Sequence, residues 1–219
     1  MNKNETTYVP ALGYGFLTAL YDPVVAATTR ERTFKERLIR QANIGSGHVV
    51  LDVGCGTGTL ATWIKRAVPE AEVTGVDGDP KILALARRKA EHAGTKVDFN
   101  QALSYALPYP DARFDRVVSS LFFHHLTRDA KARTIAEIRR VLKPGGELHV
   151  ADWGAPTNGW RRLLFYTVQW LDGFETTRDN VEGRLPQMFT TGGFMDVRQR
   201  GAVETVFGTL ALYSAQWPG

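Results

Sequence analysis

The sequence predicts an α/β protein with a mostly parallel sheet that is covered by helices on both faces. From residue 48 onward, short apolar runs alternate with helix-period segments, a pattern typical of right-handed β-α-β crossovers. The first run, Val49 to Val53, is followed by three alternating glycines, Gly54, Gly56 and Gly58. A buried strand that ends in such a turn and enters a helix exposes backbone N–H groups toward a ligand.

The remaining elements follow in order along the chain. We expect strands at 48 to 53, 72 to 77, 96 to 100, 114 to 119 and 146 to 152, interleaved with helices at about 57 to 68, 80 to 93 and 127 to 142. A helix from about Val24 to Ala42 is expected before them; a helix from Arg178 to Thr191 and strands Phe194 to Gln199 and Ala202 to Leu212 are expected after them. Ligands bind at the carboxyl ends of parallel strands, so the turns after the strands are the expected site of chemistry.

Size and composition fit one globular domain of 219 residues with an ordinary core, since 43% of the residues are hydrophobic and 23% are charged. The net charge of +4 is too small to indicate nucleic-acid binding without a clustered patch. The single cysteine, Cys55, excludes an intrachain disulfide and a cysteine-based metal site. The start of the chain is polar, and no segment reaches the roughly 18 apolar residues of a membrane span. We therefore expect a cytoplasmic protein without an integral membrane segment.

The spacing of the glycines limits the classes of ligand that this turn can bind. The dinucleotide fingerprint is G-x-G-x-x-G, whereas this turn is G-x-G-x-G, and no Gly-Lys-Ser or Gly-Lys-Thr follows that could hold a triphosphate. Asp77 ends the second apolar run, 23 residues beyond Gly54. An acid at this offset, at the tip of the second strand, commonly binds a ribose hydroxyl.

Three motifs together resemble those of the class I S-adenosylmethionine-dependent methyltransferases: Asp52 to Gly58 with Asp77, Leu107 to Asp115, and Val141 to Gly146. Within that superfamily the chain is similar to the branch of ubiquinone, menaquinone and small-metabolite methyltransferases. The resemblance implies S-adenosylmethionine as cofactor and a Rossmann-like, seven-stranded, mostly parallel sheet with an antiparallel final strand. It also implies one methyltransferase domain over 1–219, made of a helical cap (1–43), a cofactor-binding core (44–155), a substrate lid (156–192) and C-terminal strands (193–219).

The resemblance also implies which residues bind the cofactor: Asp52, Gly54, Cys55, Gly56, Asp77, Gly78, Leu103, Ser104 and Ser120. Relatives often carry an aspartate that faces the adenine amino group where this chain has Leu103. A leucine can line the adenine ring but cannot accept its N–H. That hydrogen bond is therefore left to a backbone carbonyl or to Ser104.

Three residues are candidates for catalysis. His124 and His125 follow the fourth strand, and histidine suits removal of a proton from a hydroxyl nucleophile near neutral pH. Because adjacent residues point different ways, we expect at most one of these histidines to reach the pocket. Asp152 ends the fifth strand, where it can face the transferred methyl group or cap the following segment. We expect no metal, since the clustered acids and asparagine of catechol-type relatives cannot be assembled here.

Aromatic residues indicate a small apolar or aromatic acceptor. The resemblance makes Tyr14 and Tyr21 candidates for closing the pocket, beside Trp153. The aromatic segment Trp160 to Asp172 is either a lid over the substrate or a peripheral contact with a membrane interface. The Asn/Asp-Pro-Pro-aromatic turn of the methyltransferases that modify base amines is missing, so no nucleic-acid partner is expected.

Two further alternatives stay open. The helix before the first strand carries a basic flank, which is either a solvated face or a contact with an anion or a membrane: Arg30, Arg32, Lys35, Arg37 and Arg40. The glycine turn with Asp77 also fits a non-catalytic S-adenosylmethionine-binding module that acts through a partner.

Overall fold

The computed structural model describes residues 29–156, 166, 169–170 and 173–219. Within these ranges the helices are α1 (Glu31–Ala42), α2 (Thr59–Ala67), α3 (Pro80–His92), α4 (Arg128–Val141), α5 (Phe174–Val181) and α6 (Leu185–Thr191). The strands are β1 (Val49–Val53), β2 (Glu72–Asp77), β3 (Asp98–Gln101), β4 (Phe114–Ser120), β5 (Leu142–Trp153), β6 (Met195–Glu204) and β7 (Thr209–Gln216). A short 3-10 turn, Phe123–His125, joins β4 to α4.

The strands form one seven-stranded sheet in the order β3-β2-β1-β4-β5-β7-β6. Neighbouring strands are parallel except around β7, which is antiparallel to both β5 and β6. This arrangement confirms the predicted Rossmann-like architecture. The strand order reverses between β1 and β4, and the turns after these two strands therefore border one crevice, where ligands of such sheets bind.

Local sequence explains where the helices begin. The Asp79 carboxylate accepts the Lys81 N–H at 2.8 Å, and Pro80 is the first residue of α3. The Thr127 hydroxyl caps α4 through the Ala130 N–H at 3.3 Å.

The two faces of the sheet bury separate apolar clusters. Residues of α1, α2 and α3 pack on one face around Leu38, Ile64 and Leu83, whereas α4 and α6 cover the other face around Ile138 and Phe189. Burial of these side chains, each worth about 1.5–3 kcal/mol, holds the helices on the sheet. The prediction of helices on both faces is confirmed.

Strand β5 begins at Leu142, directly after α4 and four residues before the start expected at residue 146. The start of β5, at Leu142, pairs with Phe114, and regular pairing resumes only at Glu147. Gly145 has a positive φ of 79°, and its N–H donates to the Trp217 carbonyl at 2.7 Å. The first part of β5 is therefore irregular and is bonded to the far end of the chain.

Two boundaries near the C-terminus also differ from the prediction. The single helix expected over Arg178 to Thr191 is two helices, because Gly183 adopts a φ of 68° between α5 and α6. The turn expected at residues 200–201 lies instead at Thr205–Gly208, where the Thr205 hydroxyl donates to the Gly208 carbonyl at 2.8 Å. The β6 strand passes residues 199–201 with a local irregularity in its pairing with β7.

Some predictions fall outside the described ranges. They concern residues 1–28, with Tyr14 and Tyr21, and residues 157–165, 167–168 and 171–172, so the helical cap and the lid stay predictions. In the part of the chain that the structure covers, every helix is too short or too polar to cross a membrane.

Candidate functional site

The glycine turn after β1 combines two packing glycines with one that faces open space. All three glycines have positive φ values, of 68°, 53° and 72° in chain order. A Cβ added at Gly54 would lie 2.1 Å from the Phe122 ring, and one at Gly58 would lie 2.6 Å from the Phe99 ring. A Cβ at Gly56 would meet no atom within 4 Å. The backbone at Gly56 is therefore open to the close approach of a ligand.

The Asp77 carboxylate links the glycine turn to the turn after β2. Its Oδ2 accepts the Gly56 N–H at 3.0 Å, and its Oδ1 accepts the Asp79 N–H at 3.0 Å. Burial raises the pKa of Asp77, and these two N–H groups oppose that rise. Each carboxylate oxygen can accept a second hydrogen bond, so Asp77 retains capacity for a ribose hydroxyl. The carbonyl of the neighbouring Gly78 accepts a hydrogen bond from the Gln101 side-chain amide at 3.2 Å.

Asp52 is a fully buried carboxylate on β1, just before the glycine turn. Neither of its oxygens has a hydrogen-bond partner in the described part of the chain. Burial raises the pKa of Asp52 to about 7, although the nearby Lys35 ammonium opposes the rise. Buried polar groups are rarely left unpaired in folded proteins, so this carboxylate lacks a donor or a cation.

In the turn after β3, the two residues predicted to contact adenine differ in their exposure to solvent. Leu103 is one of the exposed large apolar residues, and its carbonyl accepts the Ala106 N–H at 2.9 Å. Ser104 is buried, with its hydroxyl 2.8 Å from the Thr134 hydroxyl on α4. The Ala102 N–H donates to the Asp77 carbonyl at 3.1 Å, which holds this turn beside the turn after β2.

Asp152, at the end of β5, organises the turn after β4. Its Oδ2 accepts the N–H groups of Phe122 at 3.1 Å and Phe123 at 2.7 Å. Its Oδ1 accepts the Trp153 N–H at 2.7 Å and lies 2.7 Å from His124 Nδ1. Burial alone raises the pKa of Asp152, but His124 and the donors hold it below its ordinary value.

The two adjacent histidines do not point different ways, so that expectation is wrong. Their ring centroids are 3.9 Å apart and their planes are inclined by 43°, because the 3-10 turn brings both side chains to one side. His124 is buried and His125 is half-buried. Burial and the neighbouring His124 ring hold the pKa of His125 well below its ordinary value. His125 is therefore neutral at pH 7, and His124 is the ring bonded to a carboxylate.

Trp153 and Ser120 frame this part of the site. The Trp153 ring is 4% exposed and lies edge-on to His124, with centroids 6.4 Å apart. Asn180 on α5 donates to the Trp153 carbonyl at 3.2 Å. Ser120, the last residue of β4, is half-buried and pairs with Ala151. The glycine turn also belongs to this assembly, since the Phe122 ring lies against Gly54.

Sequence reasoning missed Lys89, whose ammonium donates to the hydroxyls of Thr57 at 2.9 Å and Thr59 at 2.7 Å. It also missed Lys131, a fully buried lysine on α4 that donates to the Thr176 carbonyl at 2.6 Å. Asp179 lies 3.6 Å from the Lys131 ammonium. No motif marks either lysine, but Lys131 occupies a buried helix position where a charged side chain is unexpected.

Acidic, cysteine and histidine side chains do not gather into a possible metal site within the ranges that the structure describes. Two of the candidate catalytic side chains, His124 and Asp152, are instead paired with each other, and Asp152 also with the backbone.

Comparison with known proteins agrees with this geometry. A family described as a methyltransferase domain matches residues 50–146. A demethylmenaquinone methyltransferase of Thermus thermophilus is 44% identical over 116 residues, which are 53% of this chain and 52% of the relative. A ubiquinone/menaquinone biosynthesis C-methyltransferase of Bordetella avium is 36% identical over 160 residues, or 70% of this chain and 60% of the relative.

The solved structure of the [4+2]-cyclase SpnF has a TM-score of 0.70 at 23% identity, covering 85% of this chain and 80% of that one. This likeness shows the fold alone. The chain spans between half and two thirds of the length of the two methyltransferases above. Residues 50–146 match a methyltransferase domain, in agreement with the resemblance of the sequence to class I S-adenosylmethionine-dependent methyltransferases, and the chain is similar to the ubiquinone and menaquinone methyltransferases.

Proposed function

We propose that the protein transfers a methyl group from S-adenosylmethionine to a small apolar or aromatic metabolite. The observation that carries this proposal is the open backbone at Gly56, held against Asp77 by a 3.0 Å hydrogen bond. A glycine that no packing contact requires, beside a carboxylate with unused lone pairs, fits a nucleoside that approaches the backbone closely. The family match over residues 50–146 supports the same cofactor.

The cofactor is a cation, and the site is suited to one. Asp52 is buried without a hydrogen-bond partner among the described residues, and its pKa of about 7 reflects that isolation. A positive ligand near the glycine turn would favour the ionised carboxylate and offset its burial. Asp77 would hold the ribose, Leu103 would line the adenine, and a backbone group of the same turn would accept the adenine amino group. Ser104, bonded to Thr134, supports this turn from behind.

The bound sulfonium supplies an electrophilic methyl group, and the protein must place the acceptor and remove its proton. Asp152 lies 2.7 Å from His124 Nδ1, so this carboxylate favours a proton on Nδ1 and a lone pair on Nε2. It would also stabilise the imidazolium that forms when His124 takes a proton. His124 is therefore the proposed general base, and Asp152 its orienting partner.

The acceptor class follows from the relatives and from the lining of the site. The two relatives are named for demethylmenaquinone and for ubiquinone and menaquinone, which suggests a hydroxylated aromatic or quinol-like acceptor here. Trp153 lies edge-on to His124 and supplies an aromatic wall. Tyr14 and Tyr21 stay predicted contacts to the same acceptor.

The test combines cofactor binding with product formation. Calorimetry should detect S-adenosylmethionine binding by the wild-type chain, weakened roughly 10- to 100-fold by Asp77→Asn, because a hydrogen bond to a charged group is lost. Asp98→Asn, an exposed carboxylate at the start of β3, is the matched control and should bind normally. Incubation with a panel of phenols and quinols, followed by mass spectrometry, should show a product heavier by one methylene unit.

Substitution of the two histidines is the second part of the test and addresses general-base catalysis. His124→Gln should slow methylation of a hydroxyl acceptor by about 100-fold or more, the range of general-base catalysis, whereas His125→Gln should have a much smaller effect. Absence of cofactor binding would contradict the proposal altogether. Binding without any product over a broad panel would favour the alternative, a cofactor-binding module that acts through a partner.

A further inference from the structure

A second hollow lies between α1 and α2, away from the glycine turn. Its volume is about 600 Å³, within the range of small-molecule sites. Residues of both helices line it, and none of them belongs to the candidate site: Arg32, Glu36, Ile39, Arg40, Trp63 and Arg66. The hollow therefore has to be explained separately from methyl transfer.

The charges of the hollow are unbalanced. Arg32 pairs with Glu36 at 2.7 Å, which neutralises one arginine. Arg40 and Arg66 are exposed and have no ion pair or side-chain hydrogen bond to any residue that the structure describes. Each lies in the last turn of its helix, where the helix dipole favours a cation. That position stabilises the two guanidinium groups but leaves their N–H donors available to an anion.

The rest of the lining is apolar. Ile39 is partly buried and packs against the main core, and Trp63 is also partly buried, with its indole lining the hollow. An indole face can stack on a planar group or contact an aliphatic one. We propose that this hollow binds a small amphipathic anion, with its apolar or aromatic body against Trp63 and Ile39 and its phosphate or carboxylate on Arg40 and Arg66.

A membrane surface fits these observations less well. Interfacial helices insert large apolar side chains that project into the lipid. The exposed large apolar residues of the described chain are Leu103, Tyr166, Trp170, Phe174, Met195 and Val206. None of these lies on α1 or α2, where the apolar side chains line a concavity instead. A concave site with two unpaired arginines favours a small ligand over a bilayer.

The test uses 1-naphthyl phosphate, which has an aromatic body and a phosphate, in calorimetric titrations of the whole chain. The wild-type protein should bind it, and the double variant Arg40→Gln/Arg66→Gln should bind about tenfold more weakly or worse, since two charge-assisted contacts are lost. Arg88→Gln is the matched control, because Arg88 is an exposed arginine on α3 that contacts only the Ala84 carbonyl. Trp63→Phe should remove the ligand-induced change in tryptophan fluorescence.

Melting temperature and S-adenosylmethionine binding are measured on every variant and should match the wild type. This separates a failure of the hollow from a failure of the proposed methyltransferase site. Unchanged affinity in the double variant would overturn the inference, and so would equal affinity for inorganic phosphate, which lacks the apolar body. Arginine-dependent binding to phosphatidylglycerol vesicles without binding of naphthyl phosphate would overturn it in favour of a membrane contact.

Discussion

Asp52 and Asp152 are both fully buried carboxylates at the carboxyl edge of the sheet, yet their surroundings differ completely. Asp152 accepts three backbone N–H groups and pairs with His124. The oxygens of Asp52 have no close hydrogen-bond partner among the residues described, and the Lys35 charge and the Ala61 N–H offset its burial only in part. Both carboxylates are fully buried, so their neighbours decide the ionisation: His124 and the N–H donors lower the pKa of Asp152, whereas that of Asp52 rises to about 7.

This difference in hydrogen bonding distinguishes a carboxylate that the protein itself satisfies from one that it does not. Asp152 is satisfied by the protein itself, so it positions the turn after β4 whether or not a ligand is present. Asp52 is satisfied only by protonation or by a ligand, so its state should depend on cofactor and pH.

Removal of the charge at position 152 should have the largest effect. Asp152→Asn replaces one acceptor oxygen with an amide NH₂, so either the N–H groups of Phe122 and Phe123 or that of Trp153 lose their acceptor, and His124 loses its carboxylate. We expect the free energy of unfolding to fall by about 3–5 kcal/mol, the usual cost of breaking a buried pair. Chemical denaturation at pH 7 measures this change.

Asp52→Asn is the matched comparison, since it replaces an equally buried acid whose oxygens have no close hydrogen bonds among the described residues. Its free energy of unfolding should stay within about 1 kcal/mol of the wild-type value or rise above it, because an unpaired buried charge is removed. Equal destabilisation by the two substitutions would show that the hydrogen bonds of Asp152 do not distinguish these carboxylates.

The pH dependence of stability should have opposite signs for the two acids. The pKa of Asp52 is higher in the folded chain than in the unfolded one, so the folded state holds an extra proton between about pH 4 and pH 7. The contribution of Asp52 is therefore complete below its unfolded pKa, and it is lost as pH rises to about 7, by roughly 1.4 kcal/mol for each pH unit. Asp152, with a lowered pKa, contributes above its ordinary pKa and loses that contribution as pH falls through its folded value.

Denaturant titrations of cofactor-free protein from pH 5 to pH 8 test this assignment. The difference in unfolding free energy between the wild type and Asp52→Asn should decrease from pH 5 to pH 7 and then level off. Groups other than Asp52 cancel in this difference. Parallel pH profiles for the two proteins would contradict a raised pKa at Asp52.

The sequence predicts the first half of the sheet well because its signals are local. An apolar run followed by glycines defines β1 and its turn, and the spacing to Asp77 places the second turn beside it. The start of β5 could not be predicted, because the Pro-Gly-Gly segment is hydrogen-bonded to Trp217, far along the chain. The break at Gly183 was equally hidden, since glycine tolerates a helix interior in other contexts.

In the candidate site, too, local features could be predicted from the sequence, whereas contacts between distant residues could not. His124 and Asp152 could each be named from the sequence, but their contact depends on the parallel pairing of β4 with β5, which brings residues 28 positions apart together. Lys89 could not be named, because its reach to Thr57 and Thr59 depends on how α3 is rotated against α2. Motifs therefore predict the members of this site better than they predict its connections.

The glycines of the β1 turn extend the comparison to the ligand. Gly54→Ala places a methyl group against Phe122, so overpacking and positive φ should together cost about 2–4 kcal/mol. Gly56→Ala meets nothing and should cost only about 1 kcal/mol, from its positive φ.

For cofactor binding the Gly56 substitution should matter more than its stability cost suggests. Its methyl group would occupy the open space where the nucleoside approaches, which should weaken S-adenosylmethionine binding roughly 10- to 100-fold. Gly94→Ala is the control, since Gly94 has a φ of 63° and an equally open Cβ position but follows α3, outside the site. Calorimetry and thermal unfolding on the three variants measure both effects. If Gly56→Ala bound the cofactor as tightly as Gly94→Ala, the open face at Gly56 would not be the place where the cofactor meets the backbone.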